Sequence, residues 1–292
     1  MRGAEVAAHT RNRLLPGRDL WTLLPNGGHH PFGLRAAKAE VLLLVGRWAE
    51  LEELYERDLG LAEDSGLRER QAYLLMKQGE LWGRRSQPQR AEELLIKAME
   101  LHAELGDKEQ RARCENGLAG ICIMLKQYDR AEVMVDRAME RVRCGDEVAL
   151  GWQLNNKAVI CKRRGQLDRA LELLCERMAI ARRSKRPREI AISHMNLGVV
   201  HLEMGDYQKA YGHNLKCVKL SRRIGDVFNI YYAVYNMAIA CERMGRKDES
   251  LSLFKEDLEL ARQLGDGPGA EQLLGDIARV EDAVKAQGSC PY

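Results

Sequence analysis

Segments such as GRWAELEELYERDL, GQLDRALELLCERM, GDYQKAYGHNLKCV and GRKDESLSLFKEDL fall into one register, marked by Leu51, Ala91, Ala131, Ala170, Ala210 and Ser250. The spacings between markers are 40, 40, 39, 40 and 40 residues. So constant a period restricts the fold severely. A unit of this length cannot bury its own apolar face, so successive units must stack and form one continuous core.

Each unit repeats the same inner pattern. Twelve residues before the marker stands a small residue: Ala39, Gly79, Ala119, Ala158, Gly198 and Ala238. Five before it is a turn residue at Gly46, Ser86, Gly165, Gly205 and Gly245, with Lys126 the exception. Eight after it is an apolar residue: Leu59, Met99, Met139, Met178, Val218 and Leu258. Small residues let two helices approach closely and turn tightly, while the third set supplies an apolar column, so each unit reads as a helical hairpin. Between hairpins, Gly106-Asp107, Gly145-Asp146, Gly225-Asp226 and Gly265-Asp266 pair a helix-ending glycine with a capping aspartate. The fourth junction instead carries Ser184-Lys185-Arg186-Pro187, which with Arg182, Arg183 and Arg188 forms a basic cluster.

Composition excludes several classes. The 292 residues are 45% hydrophobic and 30% charged with 5% aromatic, too apolar for disorder and too charged for membrane spans. No apolar run of about 18 residues occurs, and the N-terminus lacks the apolar region of a secretory signal. The formal charge of +3 resides in residues 1–35, where Arg2, Arg11, Arg13, Arg18 and Arg35 face only Glu5 and Asp19. Beyond them 41 basic groups balance 41 acidic ones, which argues against nucleic acid as a partner. The eight cysteines contain no C-x-x-C pair, which favours a reduced, cytoplasmic protein.

The units resemble the tetratricopeptide repeat in its longer form, most clearly in MNLGVVHLEMGDYQKA from Met195 to Ala210. Similar arrays occur in G-protein-signalling modulators, kinesin light chains, and the C-terminal regions of bacterial signalling ATPases and adenylate cyclases. The resemblance implies an all-α, right-handed α-solenoid of about six helical hairpins plus a C-terminal capping helix. Its hairpins are expected near 34–66, 70–106, 110–145, 149–184, 188–225 and 229–265, with the cap at 268–287. Residues 1–33 read as an irregular or flexible leader and 288–292 as a tail. Where the family often has an aromatic, nine residues before the marker, this chain has Leu42, Trp82, Cys122, Cys161, His201 and Cys241. Cysteine there packs as a small apolar residue, and a column spaced by a helix diameter cannot converge on a metal. His29-His30 reads as a solvated loop, and no catalytic, cofactor or metal constellation is found, so the expectation is a protein that is not an enzyme and carries no cofactor.

The sharper signal is Asn156, Asn196 and Asn236, each fourteen residues before its marker. In the family, first helices line a concave groove, and a similar Asn column contacts the backbone of an extended peptide. An amide offers donor and acceptor whatever the peptide's sequence; the alternative is an inter-repeat hydrogen-bond ladder. Four residues before the column stand Trp152 and Tyr232, seven after it Arg163 and Arg243, and one before it Asn155 and Tyr235. The expected groove is therefore Trp152, Asn155, Asn156, Arg163, Asn196, Tyr232, Tyr235, Asn236 and Arg243, suited to a peptide or protein with acidic and apolar side chains. The Lys by which some family members clamp a chaperone's C-terminal carboxylate is replaced here by Trp152, Ile192 and Tyr232. Two functions follow: an adaptor or scaffold binding a peptide segment of a partner, or a sensory module like those attached to signalling ATPases and cyclases or found in peptide-pheromone receptors. Neither reading inserts into a membrane or sets an oligomeric state.

Overall fold

The computed structural model describes residues 31–141 and 147–288. The leader expected at 1–33, with His29-His30, the Gly145-Asp146 junction and the tail at 288–292 lie wholly or largely outside them. Among the described residues there are thirteen α-helices and no strand. They are α1 Pro31–Leu44, α2 Trp48–Asp64, α3 Arg68–Arg84, α4 Pro88–Glu104, α5 Lys108–Met124, α6 Tyr128–Arg141 and α7 Glu147–Arg163. The rest are α8 Leu167–Arg183, α9 Pro187–Glu203, α10 Tyr207–Ile224, α11 Val227–Arg243, α12 Lys247–Leu264 and α13 Gly267–Gly288. The chain divides into two units between Val41 and Leu42; α1 crosses the boundary and the stacked repeats belong to the second.

The turn inside each hairpin explains the sequence pattern. The residue five before the marker takes a left-handed φ in all six, +76° at Gly46 and Gly165, and +57° and +61° at Ser86 and Lys126. That bend lets the next amide reach back to the carbonyl nine residues before the marker, as in Gln127 to Cys122 at 2.8 Å and Arg246 to Cys241 at 2.9 Å. The column read as Cys and His thus supplies helix-ending carbonyls, and its side chains at Cys122, Cys161, His201 and Cys241 are buried. At the described Gly-Asp junctions Asp107, Asp226 and Asp266 accept the amides of Gln110, Asn229 and Gly269, the caps the sequence predicts.

Small residues do what their register implies. A Cβ on Gly79 would lie 2.7 Å from Leu95, so the first and second helices of that hairpin meet at a distance no side chain tolerates. Consecutive helices pack along the whole second unit, and first helices also touch one another: α3 with α5, α5 with α7, α9 with α11. This is the solenoid expected, with α2 to α12 packed in series and α13 on α12.

The second unit also closes on itself. Gln263 on α12 donates to the Val45 carbonyl at 3.1 Å, and a Cβ on Gly46 would strike Leu264. Trp48, at the start of α2, packs on Phe228 of α11 with ring centroids 5.6 Å apart. The Arg84 guanidinium, from the end of α3, covers that Phe228 ring at 4.9 Å. No helix among the described residues is long and apolar enough to cross a membrane.

Candidate functional site

The asparagines that the register aligns do not all do the same thing. Asn156 donates its side-chain amide to Asn116, at 2.9 Å to the side-chain oxygen and 3.2 Å to the carbonyl. Asn196 donates likewise to Asn155 in the hairpin before it. In both cases the amide fourteen residues before one marker reaches the amide fifteen before the preceding marker, and the result is the inter-repeat ladder. The rule fails at the third member, because Met195 stands where Asn236 would need a partner. Among the described residues Asn236 instead makes a single long side-chain hydrogen bond, 3.5 Å to Asn214.

That break coincides with open space. A cavity of about 220 Å³ lies between α7, α9 and α11, bordered by Asn196, Asn236, Tyr232, Lys162 and the apolar Met195 and Val199. Tyr232 is 37% exposed, its ring held edge-on by Phe228 at 4.7 Å and Tyr231 at 5.1 Å. Of the nine residues expected in the groove, Asn196, Tyr232 and Asn236 are brought together there.

The others are placed elsewhere on the same helices. Trp152 is half-buried with the Arg113 guanidinium 5.5 Å from its ring. Asn155 and Asn156 are half-buried within the ladder. Tyr235 is turned to the cap: its hydroxyl accepts from Gln272 at 2.7 Å and donates to Asp276 at 3.4 Å. Arg163 and Arg243 are exposed, with no carboxylate within ion-pair distance among the described residues.

Two contributors escaped the sequence reading. Lys162 borders the cavity and pairs with Glu203 at 2.8 Å; its signal was Glu203, which stands seven residues after Asn196 where Arg163 and Arg243 follow Asn156 and Asn236. The seam of Trp48, Arg84 and Phe228 has no sequence signal, since no periodicity relates the first hairpins to the sixth. Burial, then the neighbouring Arg188, lowers the pKa of Arg84, whereas Arg188 itself is paired with Asp226 at 2.9 Å. In the basic cluster Arg183 is also paired, with Glu147, while Arg182, Lys185 and Arg186 are exposed.

The buried thiols are unsuited to ligation or attack. Burial pushes Cys122, Cys161 and Cys241 upward, the last to about 11. Among the described residues no group of three or more His, Cys, Asp or Glu is arranged to hold a metal ion.

A family model for the tetratricopeptide repeat matches residues 34–69 and 233–268. No curated protein matches the sequence. Among solved structures, NprR in complex with its cognate peptide NprX is similar over 94% of this chain and 77% of that one, at 17% identity and a TM-score of 0.65. A Rap protein complexed with competence and sporulation factor is similar over 90% of this chain and 78% of that one, at 14% identity and a TM-score of 0.60. A STAND signal-transduction ATPase with a tetratricopeptide repeat sensor from Pyrococcus horikoshii matches over 90% of this chain, at 15% identity and a TM-score of 0.58. This chain spans 42% of the length of that ATPase.

Proposed function

Because the chain is built of tetratricopeptide repeats, we propose that it is a non-enzymatic interaction scaffold that binds a peptide segment of another protein on the first helices of its fourth to sixth hairpins. The observation that carries this reading is the broken ladder. Asn236 keeps an amide with only one long side-chain hydrogen bond among the described residues, beside a cavity that exposed Tyr232 and apolar Met195 and Val199 also border. An amide there pairs with a peptide group, and the aromatic and apolar walls take side chains. Arg163 and Arg243, exposed and without a carboxylate within ion-pair distance among the described residues, favour acidic side chains in the partner. The same fold holds a cognate peptide in NprR, which supports the assignment without identifying the ligand.

A sensory role within a signalling ATPase is the second reading, favoured by the likeness to an array that the Pyrococcus protein carries as a sensor. An ATPase domain encoded in frame with this chain would decide for it.

Affinity capture on the purified chain, with mass spectrometry of what is retained, identifies the partner segment. Asn236→Ala should then weaken that segment about five- to a hundredfold, the loss of 1–3 kcal/mol expected for an unsatisfied peptide group. Unchanged affinity in both Asn236→Ala and Tyr232→Ala would overturn the reading.

A further inference from the structure

Seven residues after each marker the second helix of a hairpin buries a side chain: Asp58, Ala98, Ala138, Arg177, Cys217 and Asp257. Where that residue is charged, its counter-charge stands twelve positions later, on the first helix of the next hairpin. Asp58 meets Arg70 at 3.6 Å. Arg177 meets Glu189 at 2.9 Å and also donates to Ser193 and to the Glu189 carbonyl.

Asp257 breaks the pattern. Twelve positions later is Gly269, in the first turn of α13, which has no side chain to offer. Asp257 is 0% exposed, and neither of its carboxylate oxygens has a hydrogen-bond partner among the described residues. Nor is there room for a substitute from position 269. A Cβ there would lie 2.3 Å from both the Asp266 Oδ2 and the Tyr231 hydroxyl, which are hydrogen-bonded to each other at 3.0 Å.

The charged groups that act on Asp257 are Glu256 from α12 itself and Asp266 from the turn into α13, both of its own sign; the Tyr231 and Tyr232 phenols from α11 also lie near it and stay neutral. Burial first, then Glu256 and Asp266, push the carboxyl up to about 8.

We propose that α13 is a proton-dependent cap, docked on α12 while Asp257 is uncharged and progressively released as Asp257 ionises. The rest of its hold consists of the buried Leu273, Ile277 and Val280 and of surface pairs such as Lys255 with Glu281. Release also frees the Tyr235 hydroxyl from Gln272 and Asp276. The direction follows from the two states. Undocked, the carboxyl regains its ordinary value of 3.8; docked, it titrates near 8. Docking is therefore strongest below the lower value, weakens up to about tenfold per pH unit between the two, and is constant above the higher.

Hydrogen–deuterium exchange on the whole chain between pH 5 and pH 8, corrected for the intrinsic exchange rate, tests this. Amides of α13 should lose protection with rising pH by up to about tenfold per unit, while amides of α5 do not. In Asp257→Asn, which cannot ionise, α13 should keep its low-pH protection at pH 8. The proposal fails if wild-type α13 follows α5 across the range, or if Asp257→Asn shows the same pH slope as the wild type. Should the variant not fold, the wild-type profile decides alone.

Discussion

Asn196 donates its side-chain amide to Asn155, a residue of the preceding hairpin. Because Asn156 makes the equivalent reach to Asn116, the two bonds form a ladder that stiffens the third to fifth hairpins. Removing Asn196 leaves the half-buried Asn155 oxygen without its donor. Asn196→Ala should therefore lower stability by about 1 kcal/mol, seen as a lower urea midpoint with unchanged slope. Asn236→Ala, whose residue has only the 3.5 Å side-chain hydrogen bond among the described residues, should move the midpoint far less. Equal shifts would place Asn236 in the ladder as well.

The seam between Trp48 and Phe228 joins parts of the second unit that the repeat pattern leaves unrelated. Phe228→Ala removes the aromatic pair and the platform under Arg84, each worth on the order of 1 kcal/mol. Helix content should persist, since the local hairpins do not depend on the seam. The radius of gyration from small-angle X-ray scattering should increase; an unchanged value would show that Gln263 and Leu264 hold the closure by themselves.

Three imidazoles gather between α9 and α10. The His194 Nδ1 lies 3.1 Å from the His213 Nδ1, and His213 stacks on His201 at 5.4 Å. Burial, then the other imidazoles and the nearby Lys216 and Arg182, lower His194 and His213 to about 4. With folded values below the ordinary 6.5, this stability is complete above pH 6.5 and is lost as pH falls from there through about 4. The melting temperature should drop over that interval, by the equivalent of up to about 3 kcal/mol for each of the two imidazoles. His213→Gln should flatten the drop, and the same acid sensitivity in the variant would assign it to other groups.

Lys126 adopts φ +61° at a position where Gly46, Gly165, Gly205 and Gly245 bear the same left-handed bend. A non-glycine residue there costs about 1 kcal/mol, of which glycine's greater freedom in the unfolded chain returns part. Lys126→Gly should raise stability by about 0.5 kcal/mol in urea denaturation. A loss would mean that the Lys126 side chain makes contacts worth more than the strain.

By itself the sequence determined whatever recurs. The marker spacing, the small residues and the turn column are local constraints that each hairpin must satisfy, so six copies announce them together, and the Gly-Asp caps recur at four junctions. The ladder was legible in part: the register aligned Asn156 and Asn196 with Asn155 one residue ahead of the column, although it could not choose between a partner in a neighbouring hairpin and a bound peptide. Tertiary structure decided what depends on single departures from the repeat. Met195 in place of an asparagine strands Asn236, Gly269 in place of a cation strands Asp257, and Phe228 meets Trp48 across the second unit. Periodicity reports what neighbouring repeats share, whereas these contacts arise from one residue's failure to match or from a closure between distant hairpins. Only the three-dimensional path of the chain brings such residues to the same place.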